Sequence, residues 1–166
     1  MAQQTINIGT IANDNTGDTL RGAGEKINDN FDELYAAVPL VTPSTWAPTL
    51  TDSGGGRTYA ITTNTARHTS IGFVTTFTAD ITVNSVTGSA TGNLRLSLPD
   101  AVTYEAAAAV WLTNATNQAK TAIIARLIAG TSYLELSHFE TGTATSLAAH
   151  LQATSRLIVS GTYFTT

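Results

Sequence analysis

No cysteine occurs among the 166 residues, which excludes disulfides and thiolate metal centres. Charge is also scarce. Only 12% of residues are Asp, Glu, Lys or Arg, about half the share usual in globular domains. The six Arg and two Lys are scattered and the net charge is −4. No basic stripe can track a phosphate backbone, so nucleic acid is not an expected partner. No run of about 18 apolar residues is present, so membrane insertion through a helix is not expected. The start, MAQQTINIGT, has neither the basic n-region nor the apolar h-region of a signal peptide. Stability must come from a packed core or from oligomerisation.

Threonine takes the place of charge, with 31 copies. It is β-branched, suits a pleated surface and hydrates without carrying charge. With 42% hydrophobic residues, the composition predicts a β protein with a real core and a weakly charged exterior.

The front of the chain departs from this pattern. Residues 2–17 are polar, with Ile6, Ile8 and Ile11 as isolated apolar points. Asp18 is the expected N-cap of a helix beginning at Thr19. Arg21 stands where a capping box would place Glu or Gln. Within this helix Leu20, Gly24, Ile27, Phe31, Leu34 and Val38 are spaced 4-3-4-3-4, the a/d seam of a coiled coil. Gly22 and Gly24 each weaken the isolated helix by about 1 kcal/mol, so it needs partners. Either the chain's own β domain or copies from other subunits can supply them.

Three of the four prolines fall between Pro39 and Pro48, which ends the helix and reads as an extended linker. The expected organisation is an arm and helix over 1–38, a linker over 39–48, and a β domain over 49–166. Trp46, just inside the linker's end, is the expected anchor of the module junction. Beyond it come about eight short alternating segments separated by turns. In the longest, Ile71, Phe73, Thr75, Phe77, Ala79 and Ile81 share one face. The run Glu105–Ala109 could be helical from its alanines, but its β-branched and aromatic continuation predicts a strand. The fold class read from this pattern is mainly β: an antiparallel, jelly-roll-like β-sandwich preceded by a short α-helix.

The polar residues form no pattern expected of a catalytic site. His68, His138 and His150 have no second ligand at useful spacing, and their expected role is structural. The glycine-rich SGGGR at 53–57 lacks the Lys-Ser/Thr of a phosphate loop and reads as a hairpin turn. Nothing pairs two carboxylates for glycoside hydrolysis. The expectation is therefore no enzyme, no metal and no cofactor. Trp111 is expected in the core. Tyr59 and Tyr133 are candidate glycan contacts, although half-buried sheet tyrosines would look the same.

The stretch from Ile8 to Arg21, followed by Lys26 to Tyr35, resembles a segment near the start of many bacteriophage virion proteins. That segment runs as I-G-T-x-A-N-D-x-T-G-D-x-L-R, then K-I-N-x-N-F-x-E-L-Y. At Gly24 these proteins usually carry a large apolar residue. The part beginning TWAPTLT is similar to β domains of phage fibres and appendages, with departures at Ala66, His68 and Ser70 and between Ser97 and Leu98. The resemblance implies a non-enzymatic virion component, made in the host cytoplasm and assembled as a homotrimer with its helices on the three-fold axis. It implies capsid decoration or a head fibre attached to other virion proteins of capsid or tail. The alternative is a small tail-fibre or tail-tip adhesin that binds a host cell-surface glycan.

Overall fold

The computed structural model describes residues 4–11, 15–37, 43–116, 123–140 and 143–165. The chain divides into two compact units, Met1–Leu40 and Val41–Thr166. Val38 and residues 39–42 of the expected linker lie outside the described residues.

The first unit is an arm followed by one helix, α1 (Leu20–Ala37). The cap is Thr19, not Asp18 as expected. Thr19 Oγ1 accepts from the Gly22 amide at 3.1 Å, satisfying one of the helix's unpaired N–H groups. Asp18 is occupied elsewhere, as described below.

Among its described residues the second unit holds ten strands. They are β1 (Ser44–Thr45), β2 (Leu50–Asp52), β3 (Arg57–Ile71), β4 (Val74–Gly88), β5 (Leu94–Ser97), β6 (Ala106–Thr113), β7 (Ile123–Leu127), β8 (Tyr133–Glu140), β9 (Thr143–Ser146) and β10 (Arg156–Phe164). A 3₁₀ turn, Leu147–Ala149, follows β9. The hydrogen-bonded order is β3-β2-β5-β8-β7-β6-β10-β4, and β4 pairs back onto β3. Eight antiparallel strands therefore close into a barrel. β1 extends the edge of β3, and β9 extends that of β8. The expected jelly-roll sandwich is corrected by this closure. A sandwich and a barrel impose the same in–out alternation on each strand, and they differ only in whether edges remain unpaired.

The barrel interior follows that alternation. β4 contributes Phe77, Ala79, Ile81 and Val83, β5 Leu94 and Leu96, β8 Leu134 and Leu136, and β10 Leu157, Val159 and Tyr163. Completely burying one such aliphatic side chain is worth roughly 1.5–3 kcal/mol. Strand β6, where alanine could have favoured helix, turns Ala106, Ala108, Val110 and Leu112 toward this core. Small side chains are needed there. Gly161 on β10 sits in register with Phe77, and a Cβ on Gly161 would come within 2.9 Å of Ala108 Cβ and 3.1 Å of Phe77 Cε1. The missing side chain makes room for the Phe77 ring.

The β3–β4 hairpin turns through Gly72 and Phe73, with Ile71 paired to Val74. Gly72 has φ +57°, as the first position of a type II′ turn requires. Ile71 and Phe73, expected on the core face, sit instead at this turn and are exposed. The Ser53–Gly56 segment forms the expected turn, and Asp52 organises it by accepting from the amides of Gly54 and Thr91.

Candidate assembly interface

The arm runs antiparallel to α1 and is fastened to it by side chains that looked like loop residues in the sequence. Gln4 exchanges two hydrogen bonds with Asn30, each 2.9 Å, and its Nε2 donates to Asp29 at 2.8 Å. Lys26 Nζ donates to the Thr5 carbonyl at 3.1 Å and to Asp18 Oδ2 at 2.7 Å. Asn7 is the turning point. Its amide donates to Asp18 Oδ2, its carbonyl accepts from the Asp18 amide, and its side chain holds Thr16 and Gly9. The Lys26 ammonium and then the Asn7 amide hold the Asp18 carboxyl below its usual value. Gly17 permits the close approach, because a Cβ there would lie 3.0 Å from the backbone of Asn7, Ile8 and Gly9.

With the arm on one flank, the seam positions face outward. Ile27, Phe31 and Leu34 are 42%, 51% and 55% exposed, and with Asn30 they line a shallow groove of about 220 Å³. Leu20 and Tyr35 are also exposed, and the Tyr35 ring stacks on Phe31. Around Gly24 a Cβ would meet nothing within 4 Å. Four of the six predicted seam residues thus form one open apolar stripe with a gap at Gly24, and the sixth, Val38, lies outside the described residues. The arm that frames this stripe was not foreseen, because Asn7, Asp18 and Lys26 carry no apolar periodicity.

The barrel places the other candidates differently. Trp46 is half-buried and packs edge-on to Phe77, with ring centres 6.4 Å apart, against the barrel core. Tyr59 is buried, and its hydroxyl donates to the Ala148 carbonyl at 3.0 Å. A buried, bonded tyrosine cannot present a face to a glycan, which corrects that expectation. Tyr133 has the Arg95 guanidinium 4.1 Å above its ring, so one face is already covered. Trp111, expected inside, is 51% exposed on the outer wall. His138 and His150, distant in sequence, meet edge-to-face at 4.6 Å. Among the described residues, no group of three His, Cys, Asp or Glu side chains could hold a metal ion, and no helix is long and apolar enough to cross a membrane.

Residues 3–131 match the model of the bacteriophage T4 gp9/10-like protein N-terminal family, spanning the helical unit and most of the barrel strands. The chain belongs to the T4 gp9/10-like N-terminal family. Within 78 residues, 40% of the chain, it is 42% identical to the baseplate wedge protein gp10 of Enterobacteria phage T4. Among solved structures, the Dettilon tailspike protein gp208 superposes with a TM-score of 0.61 over 75% of the chain at 16% identity, a likeness of fold alone. The chain spans 13% of the length of the wedge protein and 24% of the tailspike. In this gp9/10-like chain, the arm–helix clamp gives a physical role to Asn7 and to Gly9, Gly17, Asp18, Lys26 and Asn30, the last five within the segment that resembles phage virion proteins.

Proposed function

We propose that this gp9/10-like chain is a non-enzymatic structural component of a phage tail, at the level of the baseplate or a tail fibre. It assembles as a homotrimer through α1 and contacts other virion proteins. The observation that carries the reading is the open stripe of Ile27, Phe31 and Leu34 on a helix whose flank is already clamped by its own arm. A rigid helix that leaves large apolar side chains in water at heptad spacing is built for a partner helix. Three copies meeting at this seam would bury each stripe against two neighbours and close a ring of heterologous contacts around one three-fold axis.

The baseplate wedge relative supports the tail over the capsid surface. Decoration of the capsid gains no support from it. The experiment is to separate heads from tails of purified particles and quantify the chain by mass spectrometry in each fraction. Recovery with tails is expected. Recovery with heads would return the capsid-decoration reading.

A further inference from the structure

At the end of the barrel where the β3–β4 hairpin turns and β10 finishes, a shallow depression of about 290 Å³ is lined by Ser70, Gly72, Asp100, Ala101 and Thr165. Asp100 is the charged residue of this set. Among the described side chains of the second unit, the other carboxylates are answered by cations or by backbone amides. Asp80 pairs with Arg156, Glu105 with Arg126 and Glu135 with Arg95. Asp52 accepts from the amides of Gly54 and Thr91. Asp100 has hydroxyls alone. Its Oδ2 lies 3.2 Å from both Ser70 Oγ and Thr75 Oγ1, and those two oxygens are 2.7 Å apart. Two hydroxyl protons serve three contacts, so the cluster is short of donors. Its Oδ1 takes no hydrogen bond from the described residues.

The complement of such a cluster is a group that carries positive charge and several N–H donors and brings no acceptor. A primary ammonium has this chemistry. A guanidinium fits less well, because it favours a fork on both carboxylate oxygens and Oδ2 already serves two hydroxyls. A calcium ion gathers about six to eight oxygens, more than one carboxylate and its hydroxyls supply. Asp100 is also held in place before any ligand arrives. Buried Tyr163 accepts from the Asp100 amide and donates to the Asp100 carbonyl, both at 3.2 Å, so little ordering is left to do on binding. The depression is larger than an ammonium. Its small lining residues Gly72 and Ala101 suit the methylene stem on which lysine carries one.

We propose that this depression is a subsite for a lysine side chain, whose ammonium binds Asp100 beside Ser70. The proposal goes beyond the tail-structural reading and does not depend on it. An ion pair in an open site is weak, so the test is proton–nitrogen correlation NMR on the full chain, at neutral pH and fixed ionic strength. The probes are Nα-acetyl-lysine N-methylamide and the matching norleucine and arginine amides. The lysine probe should shift the backbone amides of Gly72, Ala101 and Thr165 saturably. Norleucine, which keeps the stem and loses the charge, and arginine should each shift them severalfold less. Asp100→Asn removes the charge and keeps an oxygen for Ser70 and Thr75. In that variant the lysine response should fall severalfold, with a thermal melt confirming the fold. No response to lysine in the wild type would overturn the proposal, and so would a norleucine response of equal size. A lysine response undiminished in Asp100→Asn would place the binding elsewhere and overturn it equally. Arginine as effective as lysine would overturn the assigned class. The wild-type comparison of the three probes decides the matter even if the variant does not fold.

Discussion

Asp18 and Lys26 meet at 2.7 Å, and the same carboxylate oxygen accepts the Asn7 amide at 2.8 Å. One side chain thereby ties the arm to the second turn of α1. This explains why Asp18 is not the helix cap. Its carboxylate reaches back along the chain to a cation and an amide, and leaves the cap to Thr19.

That arrangement sets a pH dependence. The folded Asp18 pKa lies below its ordinary value of 3.8 because of the Lys26 and Asn7 hydrogen bonds. A depressed carboxylate pKa contributes stability that is complete above the unfolded value and is lost as pH falls through the folded one. The arm should stay clamped at neutral pH and loosen below pH 3.8. The Asn7 amide proton shift, followed by NMR during acid titration, should move with Asp18 in the wild type. In Asp18→Asn it should be flat over that range.

The barrel has the opposite sensitivity at high pH. Burial pushes the Tyr163 and Tyr59 hydroxyls up to about 12. Raised values mean that stability is complete below the unfolded tyrosine pKa of about 10 and is lost as pH climbs toward the folded values. Phenolate absorbance and far-ultraviolet circular dichroism should change together between those limits. Tyr163→Phe also strips the Asp100 amide and carbonyl of their partner, at a cost of about 1–3 kcal/mol, readable from the denaturation midpoint at neutral pH.

Gly161 marks a close approach between β10, β6 and β4. Gly161→Ala places a methyl 2.9 Å from Ala108 Cβ and 3.1 Å from the Phe77 ring. Overpacking of this kind costs about 1–3 kcal/mol. A second substitution, Ala108→Gly, should recover part of the loss, because it removes the nearer of the two clashing atoms. Urea denaturation of the two single variants and the double variant measures this coupling.

Gly24 is the reverse case. Its surroundings are open and it lies inside α1, so Gly24→Ala should stabilise the helical unit by about 0.5–1 kcal/mol. Helical circular dichroism as a function of temperature reads that gain.

How much of this the sequence carries can be judged from particular residues. Strict alternation in β4 placed Phe77, Ala79 and Ile81 on the core face, because the period of 2 is local. It also swept Ile71 and Phe73 into the same face, because a hairpin turn is invisible to periodicity alone. In β6 the alanines made inside and outside look alike in size. Size alone therefore favours Trp111, the largest side chain in the strand, for the interior, whereas Val110 and Leu112 occupy it. Closure of the barrel depends on β4 pairing with both β10 and β3, which are far apart in the chain. No local pattern encodes that. The seam of α1 was legible because the 4-3-4 spacing repeats. The arm was not, because a network of Asn, Asp and Lys has no period.

The central claim is that the stripe on α1 is an assembly seam. Sedimentation velocity of the full chain tests it most directly, comparing the wild type with Phe31→Asp, whose charge would sit unpaired in a buried seam. The account predicts a wild-type particle of three times the 17.3 kDa chain mass and a Phe31→Asp variant at one chain mass that keeps its β circular dichroism. A monomeric wild type, or a variant that sediments unchanged as a trimer, would contradict it.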